Sequence, residues 1–144
     1  MHKLCFFLLL FVTKISFGQI EITWKTLEDV EFTDTYLEEL DAYYYYPYFG
    51  PNISALEGQE VILRGFVLAI DPVERYYILS KGPYASCFFC GGAGPETIVE
   101  LELKSDKDYF LMDEMVTMKG ILKLNADDIY KCNYILEKAE VFRR

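Results

Sequence analysis

Histidine is almost missing from this chain: the single His is His2, beside the N-terminus. As part of a secretory signal peptide it would be lost on cleavage. A mature chain without histidine has no Ser-His-Asp or Cys-His nucleophile and no HExxH zinc-hydrolase motif. Basic residues are also scarce, 14 Lys and Arg against 23 Asp and Glu, for a net charge of −9. That balance argues against a nucleic-acid partner, since such binding rests on Lys and Arg neutralising phosphates. No D-x-D-x-D-G calcium loop occurs, and the acidic pairs at Asp106/Asp108, Asp113/Glu114 and Asp127/Asp128 read as solvated turns. Internal repeats and low-complexity linkers are absent. What is abundant is apolar and aromatic: 52% of the 144 residues are hydrophobic, with 12 Tyr and 11 Phe. This composition excludes a disordered or collagen-like chain, and the length suits one domain.

Residues 1–18 read as a secretory signal peptide. His2 and Lys3 form the positive start, Leu4 to Val12 the short apolar run, and Ser16-Phe17-Gly18 the small-residue cleavage pattern. The run is too short for a membrane span, which needs ~20 apolar residues, and Lys14 interrupts it. Cys5 lies inside the run, so it is no lipid-bearing cysteine. Cleavage removes Lys3 and Lys14, making the mature chain two charges more acidic, and leaves Cys87, Cys90 and Cys132. The expected location is exported, either periplasmic or secreted, with no membrane span in the mature chain.

Residues 19–55 read as an N-terminal arm and 56–144 as a β-barrel. In the arm, Ile20, Ile22 and Trp24 alternate with polar residues and predict a short strand. Thr35 and Glu38 have capping-box spacing, and Tyr36, Leu37, Leu40, Tyr43 and Tyr44 fall at helical spacing. Together they predict one short helix, from Asp34 to Tyr44. The aromatic block Tyr43 to Phe49 around Pro47 reads either as a lid on the core or as a stacking platform for a sugar or base. After a turn at Gly50 to Asn52, five strands are expected: 60–70, 75–80, 97–103, 114–124 and one within 130–142. Gly65 and Gly120 sit mid-strand, where bulges or sharp bends let a small sheet close. The fold class predicted is mainly β, a small five-stranded OB-like barrel.

The chemistry-bearing segment is Ser86-Cys87-Phe88-Phe89-Cys90-Gly91-Gly92-Ala93-Gly94-Pro95-Glu96. Three readings of its C-x-x-C stand open. Cys87 and Cys90 suit a metal, zinc or the softer Cu(I), with Cys132 as a third thiolate and Glu96, water or another chain as the fourth donor. They also suit a dithiol–disulfide couple, although the glycines and Pro95 prevent the following helix that would acidify the first thiol. The third reading is a structural disulfide with one buried free cysteine. A phosphate cradle is disfavoured, because the glycines lack the Lys-Ser/Thr of a P-loop.

The mature chain resembles a family of small exported bacterial proteins of unassigned function. The resemblance rests on Leu56-x-Gly58-x-x-Val61-x-x-x-Gly65, the Ser86-Cys87-Phe88-Phe89-Cys90-Gly91 loop and Gly94-Pro95-Glu96-Thr97. It also takes in Lys119-Gly120-x-Leu122 and Tyr134-x-Leu136, and spans about residues 24–142. It implies an OB-type barrel and brings no activity. The resulting expectation is an exported binding module rather than an enzyme. It would hold a metal ion, zinc, through Cys87, Cys90 and Cys132, and its partner would be a protein or a small ligand. The alternatives are a thiol–disulfide redox protein and a non-catalytic interaction subunit of an envelope complex.

Overall fold

The computed structural model describes residues 18–88, 91 and 93–142. All of the predicted signal peptide but Gly18, and Cys90, therefore lie outside the described residues. The chain is mainly β, with strands β1 (Ile20–Glu21), β2 (Val30–Leu37), β3 (Ala42–Phe49), β4 (Glu60–Asp71), β5 (Tyr76–Ser80), β6 (Ile98–Leu103), β7 (Glu114–Leu124) and β8 (Tyr134–Val141). Strands β4, β5, β6, β8 and β7 pair in that order, and β7 pairs back on β4, so the sheet closes. This is the five-stranded OB-like barrel expected from the two glycine-interrupted strands. All its pairings are antiparallel except β6 with β8. Strand β1 adds outside the barrel, parallel to the start of β4. No helix among the described residues is long and apolar enough to cross a membrane.

Both mid-strand glycines lie at close backbone approaches. A Cβ on Gly65 would stand 2.6 Å from the Ser80 carbonyl oxygen and 2.8 Å from the Trp24 ring. The indole is held there by its Nε1–H, which donates to the Arg64 carbonyl at 2.8 Å. At Gly120 a Cβ would stand 2.8 Å from the Glu137 carbonyl oxygen. There the β7–β8 register shifts between Lys119 and Ile121, and Lys138 opposite adopts φ 51°. An extra residue in β8 bends that strand, as barrel closure requires.

The barrel interior is filled by Val61, Leu63, Tyr77, Leu79, Met118, Leu122, Tyr134 and Leu136, all at most 2% exposed. Leu27, from a 3-10 turn over Trp24–Glu28, and Ile53, from a one-turn helix α1 (Pro51–Ser54), belong to the same core. Asp29 fixes that junction, its carboxylate accepting from the Asn52 and Ile53 amides at 2.8 and 3.0 Å. Tyr77 is fully buried edge-on to Phe110, and its hydroxyl finds no hydrogen-bond partner among the described residues. A buried unsatisfied hydroxyl costs ~1–3 kcal/mol. Tyr77→Phe should therefore melt at or above the wild-type temperature; a clearly lower melting point in thermal denaturation would contradict this.

The arm departs from expectation. No helix forms over Asp34 to Tyr44; β2 and β3 make an antiparallel hairpin instead, paired from Val30↔Phe49 to Leu37↔Ala42. The β-branched and aromatic residues Val30, Phe32, Thr33, Thr35 and Tyr36 favour a pleated surface. Asp41, at φ 48°, makes the reversal. Tyr36 and Tyr43, which helical spacing stacks on one face, become cross-strand partners. The short helix of the arm is α1, beginning at the predicted turn. The predicted first strand shortens to Ile20–Glu21, because the 3-10 turn starts at Trp24.

Candidate functional site

Three segments distant in sequence meet on the outer face of the barrel wall, over β5 and β6. The Cys loop follows β5, and a 3-10 turn over Tyr84–Ser86 ends at Cys87. Cys87 is 1% exposed, packed with Leu68, Ile78 and Ile98 in a small cluster apart from the main core. Phe88, Tyr76 and Cys132 pack against that same cluster. Cys87 and Cys132 are both free thiols. Cys90 lies outside the described residues. Among the described residues no group of three or more His, Cys, Asp and Glu side chains stands ready to hold a metal ion.

The β7–β8 loop that carries Cys132 is held by two asparagines. The Asn125 side-chain amide donates to the carbonyls of Asp128 and Cys132, at 2.7 and 3.2 Å, and its oxygen accepts from the Asp128 amide at 3.0 Å. Asn133, 8% exposed, donates to the Asn125 carbonyl at 3.0 Å and to the Tyr44 hydroxyl at 3.3 Å. That last bond ties the hairpin to the loop. Glu100, on β6, is 6% exposed and accepts from the Cys132 amide at 3.1 Å. Lys131 screens it, with Nζ 3.6 Å from the Glu100 carboxylate and 2.6 Å from Glu102.

Between these parts runs a cleft of about 360 Å³, walled by Tyr44, Tyr45, Tyr76, Phe88, Ile98, Tyr130 and Cys132. Its volume and mostly apolar lining with a few convergent polar groups are typical of a small-ligand site. A larger groove of about 590 Å³ runs beside Trp24, Arg64 and Thr117. Its charged lining residues are Glu21 and Arg64 alone, and it gathers no thiol or tyrosine hydroxyl, so it offers less chemistry.

Burial pushes the Cys132 thiol up from 9.0 to about 12, the Glu100 carboxylate adds to the rise, and a hydrogen bond with the Tyr76 hydroxyl offsets part of it. Burial also raises Tyr76 itself, as do the charges of Cys132 and Glu100. At neutral pH the cleft thus presents a neutral thiol and a neutral phenol. A raised folded-state value means that the stabilisation is complete below pH 9 and is lost as pH climbs toward about 12. Cys132→Ala should accordingly show a shallower fall of melting temperature above pH 9 than the wild type. Parallel declines in the two proteins would contradict the assignment.

Tyr76, Glu100, Lys131 and Asn133 are site residues that sequence reasoning missed. Each is an ordinary polar residue, Glu100 within β6, Tyr76 at the start of β5 and Lys131 and Asn133 in the loop before β8, and only strand pairing brings them to the thiol. Tyr44 and Tyr45 of the aromatic block form one wall of the cleft.

No family model matches the chain, and no curated protein matches it. A solved structure does: the crystal structure, at 2.45 Å, of a DUF3299 family protein from Pseudomonas aeruginosa PAO1. The TM-score is 0.53 at 16% sequence identity, covering 88% of this chain and 98% of that one. At that identity the likeness concerns the fold alone.

Proposed function

We propose that this chain is an exported binding module without catalytic activity, and that its ligand occupies the cleft beside Cys132. The observation that carries the reading is the convergence of the hairpin, the Cys loop and the asparagine-braced loop on one aromatic cleft. Loops on a rigid barrel are where binding function concentrates. The cleft's thiol and phenol are both held neutral, which suits recognition better than nucleophilic attack. The redox alternative needs an exposed, acidified thiol, and the burial of Cys87 and Cys132 counts against it.

A metal ion is the second form of this reading, with Cys87, Cys90 and Cys132 as ligands and zinc as the ion. Its support is that Cys87 and Cys132 pack on one small cluster. Zinc would have to displace the Cys132 proton, so affinity would fall as pH drops.

The test is native mass spectrometry and metal analysis of protein purified from the exported fraction without chelators. A retained ion or small molecule is expected, reduced or lost in Cys132→Ala and in Tyr130→Ala. Tyr130 is 84% exposed, so its truncation leaves the fold intact. A bare chain mass with no metal would overturn the proposal.

A further inference from the structure

The β2–β3 hairpin pairs with no other strand among the described residues, so both of its long edges are unpaired. Residues facing each other across an antiparallel pair share a face. One face therefore carries Val30, Pro47 and Phe49 at its base, where it packs on the barrel, and Phe32, Asp34, Tyr36, Tyr43 and Tyr45 toward the tip. Tyr45 stacks on Phe32 with ring centroids 5.5 Å apart, and Tyr36 meets Tyr43 edge-on at 5.3 Å. Asp34 lies directly across from Tyr45, between these two ring pairs. Yet Tyr36, Tyr43 and Tyr45 remain 47%, 75% and 52% exposed. Isolated hairpins are marginal in water, and exposed aromatic surface of this extent marks an interaction site.

Charge selects the occupant. From Thr26 to Leu63 the chain has no Lys, Arg or His, and the hairpin carries Glu31, Asp34, Glu38, Glu39 and Asp41. Every ion pair among the described residues uses other carboxylates. Asp127 adds to the field, close enough to accept from the Tyr46 hydroxyl at 3.5 Å. Two such hairpins would repel, which disfavours a second copy of this chain, and phosphate polymers would be repelled as well. A carboxylate flanked by aromatic rings suits a guanidinium or ammonium group, through ion pairing and cation–π attraction together.

We propose that the tip of this hairpin face docks a Lys/Arg-rich segment of a partner protein, seating one cationic side chain at Asp34 between the two aromatic pairs. This surface meets the cleft at Tyr45, but Tyr36, Tyr43, Asp34 and Glu38, the positions tested below, do not line the cleft, so either proposal can fail without the other.

The experiment is fluorescence anisotropy with a dye-labelled nona-arginine peptide in ~0.15 M salt, where long-range attraction between exposed charges is screened. Wild type is compared with Tyr36→Ala/Tyr43→Ala, with Asp34→Asn/Glu38→Gln, and with a charge control off the hairpin, Glu74→Gln/Asp106→Asn. Unchanged circular dichroism confirms that each variant is folded. The tyrosine pair, which leaves charge untouched, should weaken binding about fivefold or more, as two exposed cation–π contacts would. The Asp34 pair should weaken it about tenfold, and the control less than twofold. Equal losses in the two charge pairs would mean general attraction to an acidic protein and overturn the proposal. So would wild-type affinity in the tyrosine pair, no binding at all, or a hairpin-dependent dimer by sedimentation.

Discussion

Tyr134→Ala is expected to lower stability by ~3–5 kcal/mol, the range for truncating a large aromatic in a well-packed core. Tyr134 is fully buried on β8, its ring edge-on to Phe49 of the hairpin at 5.6 Å. Its hydroxyl donates to the Leu27 carbonyl at 2.7 Å. One side chain thus fastens the 3-10 turn and the hairpin to the barrel. The milder Tyr134→Phe keeps the ring and leaves the Leu27 carbonyl unpaired, for a loss of ~1–2 kcal/mol. Urea denaturation of the two variants separates packing from the hydrogen bond. If Tyr134→Ala cost no more than Tyr134→Phe, the ring would not be the fastening.

Gly120→Val and Gly65→Val should each destabilise by ~1–3 kcal/mol, the usual cost of overpacking. At Gly120 the nearest neighbours of an added Cβ are the Glu137 carbonyl, the Leu136 Cβ and the Ala139 Cα, mostly backbone that cannot swing away. Relief requires moving the β8 bulge. At Gly65 the Ser80 carbonyl is equally fixed, while the Trp24 ring has room to rotate if it gives up its bond to Arg64. Gly120→Val is therefore the more severe of the two. Melting curves that match wild type for both would remove the physical reason for glycine in these strands.

Much of the barrel was legible because its information is local. Strand β7 has the predicted bounds, Glu114 to Leu124, and β4 runs one residue past them. Alternation, terminal turns and mid-strand glycines all agree there. The hairpin was misread because Thr35, Glu38 and the Tyr/Leu spacing also satisfy a helical template. The deciding terms were the eight-residue pairing with β3 and the reversal at Asp41, and pairing is not a local property. The same limit hid most of the cleft. Cys132 stood out as a thiol, but Glu100 reaches it only because β6 runs parallel to β8, with Glu100 opposite Ile135. Tyr76 arrives from β5, one strand beyond β6 in the sheet order. Nothing within a few residues of Cys132 encodes either neighbour.

On the proposed function, the Cys132 cleft binds a ligand rather than exchanging electrons. Alkylation of the native protein, mapped by mass spectrometry from pH 7 to 10 with and without oxidised glutathione, tests it most directly. Cys132 is expected to stay almost unmodified across that range, to react at once on unfolding and to form no glutathione adduct, because its thiol is held up to about 12. Rapid alkylation at pH 7, or a mixed disulfide that reduces and re-forms reversibly, would contradict it.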